Sequence, residues 1–223
     1  MIIHGFGGST KEVQYLCDFL NTQGIYTHMV SLAGHGGTKK ELSATSHLDW
    51  IQSAEKAIAE FAPHKVDLIG FSMGGLICVR LAALPYVNKL VFVNTPIYFW
   101  NIKVILGDII GGIFSRQFER VAYYTKSVSR VSVKSGIDFL RILRSSKKEF
   151  AHIRKPSLII QCKNDETVWP RSAEYIRRNI GKSARLQYYS GGRHQLFCDM
   201  AAEFRDSACE EIYRFLKEDS HEL

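Results

Sequence analysis

Residues 70–75 read Gly-Phe-Ser-Met-Gly-Gly, and they stand at a joint. Val66, Leu68 and Ile69 ahead of them have the apolar character of a buried strand. Behind them, from Met73 to Leu84, Leu76, Ile77, Leu81 and Leu84 recur at helical spacing until Pro85 stops the run. A lone serine between glycines at a strand-to-helix joint constrains the fold more than any other stretch. The turn is tight enough to force the serine into a strained backbone conformation, and the flanking glycines leave room for the close packing it needs. The strain lifts the hydroxyl clear of the sheet, and the positive end of the following helix points at the same place.

The rest of the chain alternates in the same way. Strands are expected at Ile25–Ser31, Val66–Ile69, Leu90–Val93, Ser157–Cys162 and Arg185–Tyr189, with Met1–Ile3 as the stump of another. Helical patterns fall between them, which points to a parallel sheet with crossover helices. Ser9 and Glu12 have capping-box spacing, followed by Val13, Leu16, Cys17 and Leu20 on one face. Ser46 and Asp49 cap a second helix with Ile51, Ala54, Ile58 and Phe61 inward. A last helix spans roughly Met200 to Leu216, with Phe204, Ala208, Phe215 and Leu216 as its apolar side. Between Ile97 and Ile153 the alternation fails, and several short helical patterns rich in aromatics read as an insertion over one end of the sheet.

At 223 residues and 46% hydrophobic, the chain can fill one sizeable core. The net charge of +7 is spread, with no run of five or six like charges, so a nucleic-acid arm is not expected. Five cysteines with no C-x-x-C pair speak against a disulfide framework or a zinc ribbon, and suggest reduced thiols in a cytoplasmic protein. Met1-Ile2-Ile3 runs straight into His4-Gly5 with no secretory pattern. The most apolar later stretch, Val104 to Phe114, contains Asp108 and three glycines and is too short to span a bilayer.

Gly70-Phe71-Ser72-Met73-Gly74 satisfies G-x-S-x-G in the strand–turn–helix setting that motif requires. A serine hydroxyl is a poor nucleophile until a base takes its proton, so a histidine and an orienting carboxylate must exist. In this setting they follow the serine in the order acid, then histidine. His194 lies in the glycine-rich stretch Ser190 to His194, in that late position. His35, between Gly34 and Gly36, is a rival in a similar loop but precedes the serine. His28 reads as structural; His64, His152 and His221 read as exposed. Asp165 follows the strand ending at Cys162, in a loop where such sites collect. Glu166 is adjacent, and spacing alone does not separate the two; Asp199 is better explained as a cap of the last helix. Two backbone donors are needed for an oxyanion: Met73 after the serine, and Phe6 in the loop His4-Gly5-Phe6-Gly7-Gly8.

Together the stretches HGFGG (4–8), GHG (34–36), DW (49–50), GFSMGG (70–75), NTPIY (94–98), NDETV (164–168) and SGGRH (190–194) resemble the α/β-hydrolase superfamily. The likeness is nearest to small bacterial carboxylesterases and monoacylglycerol lipases. It implies an α/β fold with a mostly parallel central sheet, helices on both faces and a small helical lid. Residues 1–96 and 154–223 would form the core and 97–153 the lid. It maps Ser72, Asp165 and His194 onto a catalytic triad and Phe6 and Met73 onto oxyanion donors. Ile97, Tyr98 and Trp100, with Ile105 and Phe114, become candidates for an acyl pocket. The implied activity is hydrolysis of carboxylic esters without cofactor or metal, with contact to lipid substrate. A thioesterase or acyltransferase, or a non-catalytic binding protein of the same fold, are the rival readings. Gly191-Gly192-Arg193 before the histidine is longer than the step many relatives carry.

Overall fold

The computed structural model describes residues 1–100, 131–198 and 202–218. Six apolar runs lie side by side as strands: β1 (Ile2–Ile3), β2 (Met29–Val30), β3 (Val66–Phe71), β4 (Val87–Val93), β5 (Ser157–Cys162) and β6 (Ala184–Tyr189). Their order across the sheet is β2-β1-β3-β4-β5-β6, and every pairing is parallel. Side chains alternate between two cores. Ile3, Leu68, Leu90, Phe92 and Ile159 pack into one; Ile2, Ile69, Phe71, Val91, Val93, Leu158 and Ile160 pack into the other. Burial on both faces is why these strands read as continuous apolar runs.

The helices are α1 (Gln14–Thr22), α2 (Lys39–Ala44), α3 (His47–Ala59), α4 (Met73–Leu81), α5 (Val133–Glu149), α6 (Arg171–Ile180) and α7 (Ala202–Lys217). α1 and α7 bury Leu16, Leu20, Ala208, Ile212 and Phe215 against one face of the sheet. α3 to α6 cover the other with Trp50, Ala54, Ile77, Ile142 and Ile176. Helices pack on both faces of a parallel sheet, so the α/β arrangement expected from the sequence is the one observed.

Several local expectations are corrected. Of the expected strand Ile25–Ser31, Met29–Val30 is strand, and pairing with the sheet starts at the His28 carbonyl, which accepts from Ile2 N at 2.9 Å. The residues before it are tied back to α1 instead: Ile25 N donates to the Leu20 carbonyl at 2.9 Å, and Thr27 N to Asn21 Oδ1 at 3.1 Å. Ser9 and Glu12 do not form a capping box. The chain enters α1 through a 3-10 turn at Thr10–Val13 with no side-chain cap from Ser9, and the Glu12 carboxylate is spent elsewhere. The box at Ser46 does form, with Asp49 Oδ2 accepting from Ser46 N at 2.8 Å. On that helix Trp50 takes a fully buried place, while Ile51 and Phe61 are only partly buried. The helix after Ser72 stops at Leu81 rather than Leu84.

Of the stretch 97–153, the described part after position 130 holds a helix of 17 residues, α5. Its Asp138 is buried, with His47 Nδ1 at 3.0 Å, Arg141 at 3.1 Å and Lys134 at 3.4 Å. Burial alone would push this carboxyl up, but those partners hold it below the usual carboxylate range. Ser146 Oγ donates to the Leu76 carbonyl at 2.9 Å and fixes the helix on α4. Positions 101–130 of the expected lid, with Ile105 and Phe114, lie outside the described residues, as do Asp199 and His221. Among the described residues no helix is long and apolar enough to cross a membrane.

Candidate active site

β3 delivers the chain to Ser72, whose φ of 51° and ψ of −121° lie where a side chain is strained. Such a conformation costs of order 1–3 kcal/mol and persists only if its surroundings enforce it. Here they do: Ser72 N donates to the Val93 carbonyl at 2.8 Å, and Gly75 N returns to the Ser72 carbonyl at 3.0 Å. A Cβ on Gly70 would land on the Gly74 and Gly75 main chain, and one on Gly74 on the Ile3 carbonyl. The two glycines therefore allow β3, β1 and α4 to approach this closely. Ser72 sits at the N-terminus of α4, whose dipole favours negative charge there.

His194 Nε2 lies 3.1 Å from Ser72 Oγ, and its Nδ1 lies 2.8 Å from Asp165 Oδ2. A carboxylate only accepts, so Nδ1 carries the proton, leaving Nε2 free to accept from the serine hydroxyl. Asp165 is itself oriented: its Oδ1 accepts from Thr167 N at 2.8 Å and Val168 N at 2.7 Å. Glu166, the neighbour that spacing could not separate, accepts instead from the His194 main-chain N at 3.2 Å. Burial pushes the His194 imidazole down, but the charge and hydrogen bond of Asp165, helped by Glu166 and Glu12, more than offset it, and the net shift is upward.

One side chain aligns these loops. Asn94, at the end of β4 with φ of 46°, donates from Nδ2 to the carbonyls of Arg193 at 3.2 Å and His194 at 2.9 Å. Its Oδ1 accepts from Cys162 N at 2.9 Å, at the end of β5. The rival His35 does not reach the serine. Its Nδ1 donates to the Ala33 carbonyl at 3.1 Å, and its ring packs on Trp50 and His4. His4 donates from Nδ1 to Gly5 O at 2.9 Å and accepts from Leu32 N at Nε2. Burial holds both imidazoles near pKa 4, so both are neutral at pH 7.

Comparison with known sequences gives the family. Residues 1–127 match the profile described as the alpha/beta hydrolase fold. The chain belongs to the alpha/beta hydrolase fold family. Residues 108–201 also match a profile described as serine aminopeptidase, S33. The hydrolase chain is 20% identical to a carboxylesterase of Bacillus subtilis, over 97% of this chain and 91% of that protein. It is 22% identical to a thermostable monoacylglycerol lipase of Bacillus sp. H-257, over 83% and 77% respectively. Among solved structures it resembles a soluble variant of monoglyceride lipase from Saccharomyces cerevisiae, with a TM-score of 0.77 at 16% identity, covering 97% of this chain and 85% of that one. Paleococcus ferrophilus monoacylglycerol lipase superposes with a TM-score of 0.71 at 19% identity, over 96% and 93%. At such identities the structural likeness carries the fold.

The expected pocket residues of the hydrolase lie at the mouth of the acid loop. Ile97 is buried in the core, and its amide donates to Ser172 Oγ at 3.2 Å. Tyr98 lines a cavity of about 330 Å³ with Trp169, Arg171 and Tyr175, on the Asp165 side and without Ser72 in its wall. Trp100 is exposed and donates from Nε1 to the Asp165 carbonyl at 2.8 Å. Phe6, the expected donor from the first loop, stacks on Phe139 of α5 at 4.9 Å. Two residues that the sequence reading passed over hold the site together. Asn94 has no motif beyond NTP, and Glu12 was concealed by its S-x-x-E spacing.

Proposed function

We propose that this hydrolase cleaves carboxylic esters through Ser72, His194 and Asp165. The observation that carries the reading is the imidazole of His194 within hydrogen-bond reach of both the serine hydroxyl and the carboxylate. Ser72 Oγ attacks the acyl carbonyl as His194 Nε2 takes its proton. Asp165 holds the imidazole in the productive tautomer and stabilises the imidazolium. The amides of Met73 and Phe6 take the oxyanion; losing one such donor costs about 3 kcal/mol in the barrier. His194 then protonates the departing alcohol, and water, deprotonated by the same imidazole, releases the acid from the acyl-serine. The named activities of the carboxylesterase and monoacylglycerol lipase relatives support an ester substrate. In this reading 97–153 supplies the lid, and the acyl chain is gripped by its apolar residues near Tyr98.

The test is turnover of p-nitrophenyl esters and monoacylglycerols of increasing acyl length, with fluorophosphonate labelling of the same samples. Wild-type protein should hydrolyse the esters and take the label; Ser72→Ala should lose both. Labelling or turnover that survives in S72A would refute the mechanism.

A further inference from the structure

Glu12 is a buried carboxylate, and among the described residues no lysine or arginine pairs with it. Its Oε2 accepts from Gly5 N at 3.0 Å, and its Oε1 accepts from Gln195 Nε2 at 3.0 Å. Gly5 precedes Phe6, and Gln195 follows His194. The surrounding glycines make room for the carboxylate: a Cβ on Gly8 would fall on the Glu12 carboxyl group. One on Gly5 would stand 3.1 Å from Oε2 and 3.3 Å from Ser72 Cβ. The same probe position thus touches both the carboxylate and the serine, so Glu12 lies one glycine's width from the reacting centre. The Cys198 thiol also reaches the Glu12 main-chain carbonyl at 3.6 Å. Gln195 leaves its Oε1 buried without a partner while keeping its amide on Glu12. Burying a carboxylate is unfavourable, and the chain accepts that cost for Glu12 as it does for Asp165.

We propose that Glu12 is a positioning residue that locks the loop carrying Phe6 to the loop carrying His194 and sets a second buried carboxylate beside that imidazole; this rests on the reading of the site given above. Its first role is geometric. The Gly5 amide, held by Oε2, fixes the peptide plane next to the Phe6 donor, so the oxyanion amide is aimed before substrate arrives. Its second role is electrostatic. The charged groups acting on His194 are Asp165 and Glu166 from the loop after β5, and Glu12 from the turn before α1. All three favour the imidazolium. Facing Glu12 are the Gly5 amide, Gln195 and His194. Burial raises the Glu12 carboxyl, partly offset by those same three groups. An oxyanion donor matters in the transition state more than in the ground state, so the geometric role predicts loss in kcat rather than in KM.

Glu12→Gln and Glu12→Asp, compared with wild type, separate the roles. Gln keeps the length and removes the charge; Asp keeps the charge and is too short to hold both loops. The readouts are ester kcat and KM, and the NMR titration of the His194 imidazole, which needs no substrate. In E12Q the titration should move to lower pH, because a negative neighbour of the imidazolium is gone, and kcat should fall roughly 10- to 100-fold with KM little changed. In E12D the titration should stay near wild type while kcat remains low. Gln195→Leu cuts the other end of the bridge and serves if either Glu12 variant folds poorly by circular dichroism; it too should lower kcat. Unchanged kcat in both E12Q and Q195L, or an unmoved His194 titration in E12Q, overturns the proposal. A wild-type protein that hydrolyses no ester while its His194 titration still shifts in E12Q would sink the esterase reading and leave the placement of Glu12 standing.

Discussion

His194 is pulled in opposite directions by its surroundings, and the winner decides how the site meets acid. Burial favours the neutral ring; Asp165, Glu166 and Glu12 favour the charged one and prevail. The folded pKa therefore lies above the ordinary 6.5. As the proposed general base His194 must be neutral, so activity should fall as pH drops through a value above 6.5 rather than below it. The acid limb of kcat/KM measures this directly, and a limb below 6.5 would contradict it. Asp165→Asn should cut kcat by about 10³- to 10⁴-fold, since an amide does not hold the Nδ1–H tautomer. Residue by residue, the meeting of Ser72 and His194 was legible because glycines mark the local setting of each. Asp165 was readable only to within one position; the two main-chain amides that single it out from Glu166 are a property of the folded turn. Glu12 was misread because the S-x-x-E spacing of a helix start is the same whether the glutamate caps or turns inward.

At the scale of elements, the sheet and its major helices followed from apolar periodicity, and the failures share a cause. Ile25 to Thr27 look like strand because they alternate, but Leu20 and Asn21 take the Ile25 and Thr27 amides instead. α2 and α6 carry too few apolar residues for their burial to stand out in the sequence. Lys89 was invisible for a different reason. It is a lysine in the middle of a central strand, 2% exposed, and its ammonium donates to the carbonyls of Phe215 at 2.9 Å, Leu216 at 3.1 Å and Glu218. It caps the C-terminus of α7 from inside the sheet, where the helix dipole is negative. Lys89→Met keeps the apolar stem and orphans those carbonyls. It should lower the unfolding free energy by about 2–3 kcal/mol in urea titration, and a loss under about 0.5 kcal/mol would show that the cap is not needed.

For the whole molecule, stability and acidity are linked through the two histidines beneath the first loop. His4 and His35 sit near pKa 4 in the fold against 6.5 when unfolded. Between those values the unfolded chain binds protons that the folded chain refuses, so stability is present above 6.5 and is lost as pH falls towards 4. Each imidazole contributes at most about 3 kcal/mol to that loss. Urea midpoints at pH 7 and pH 4.5 should therefore differ less in His35→Phe than in wild type; an equal difference would remove His35 from the account. The parallel order of the sheet was readable from alternation alone, but the joining of its ends was not. Asn94 grips the turn at Cys162 and the carbonyl of His194 with opposite ends of a single amide. Whatever lifts one loop tugs on the other, so the His194 imidazole and the Asp165 carboxylate keep step or lose step as a pair.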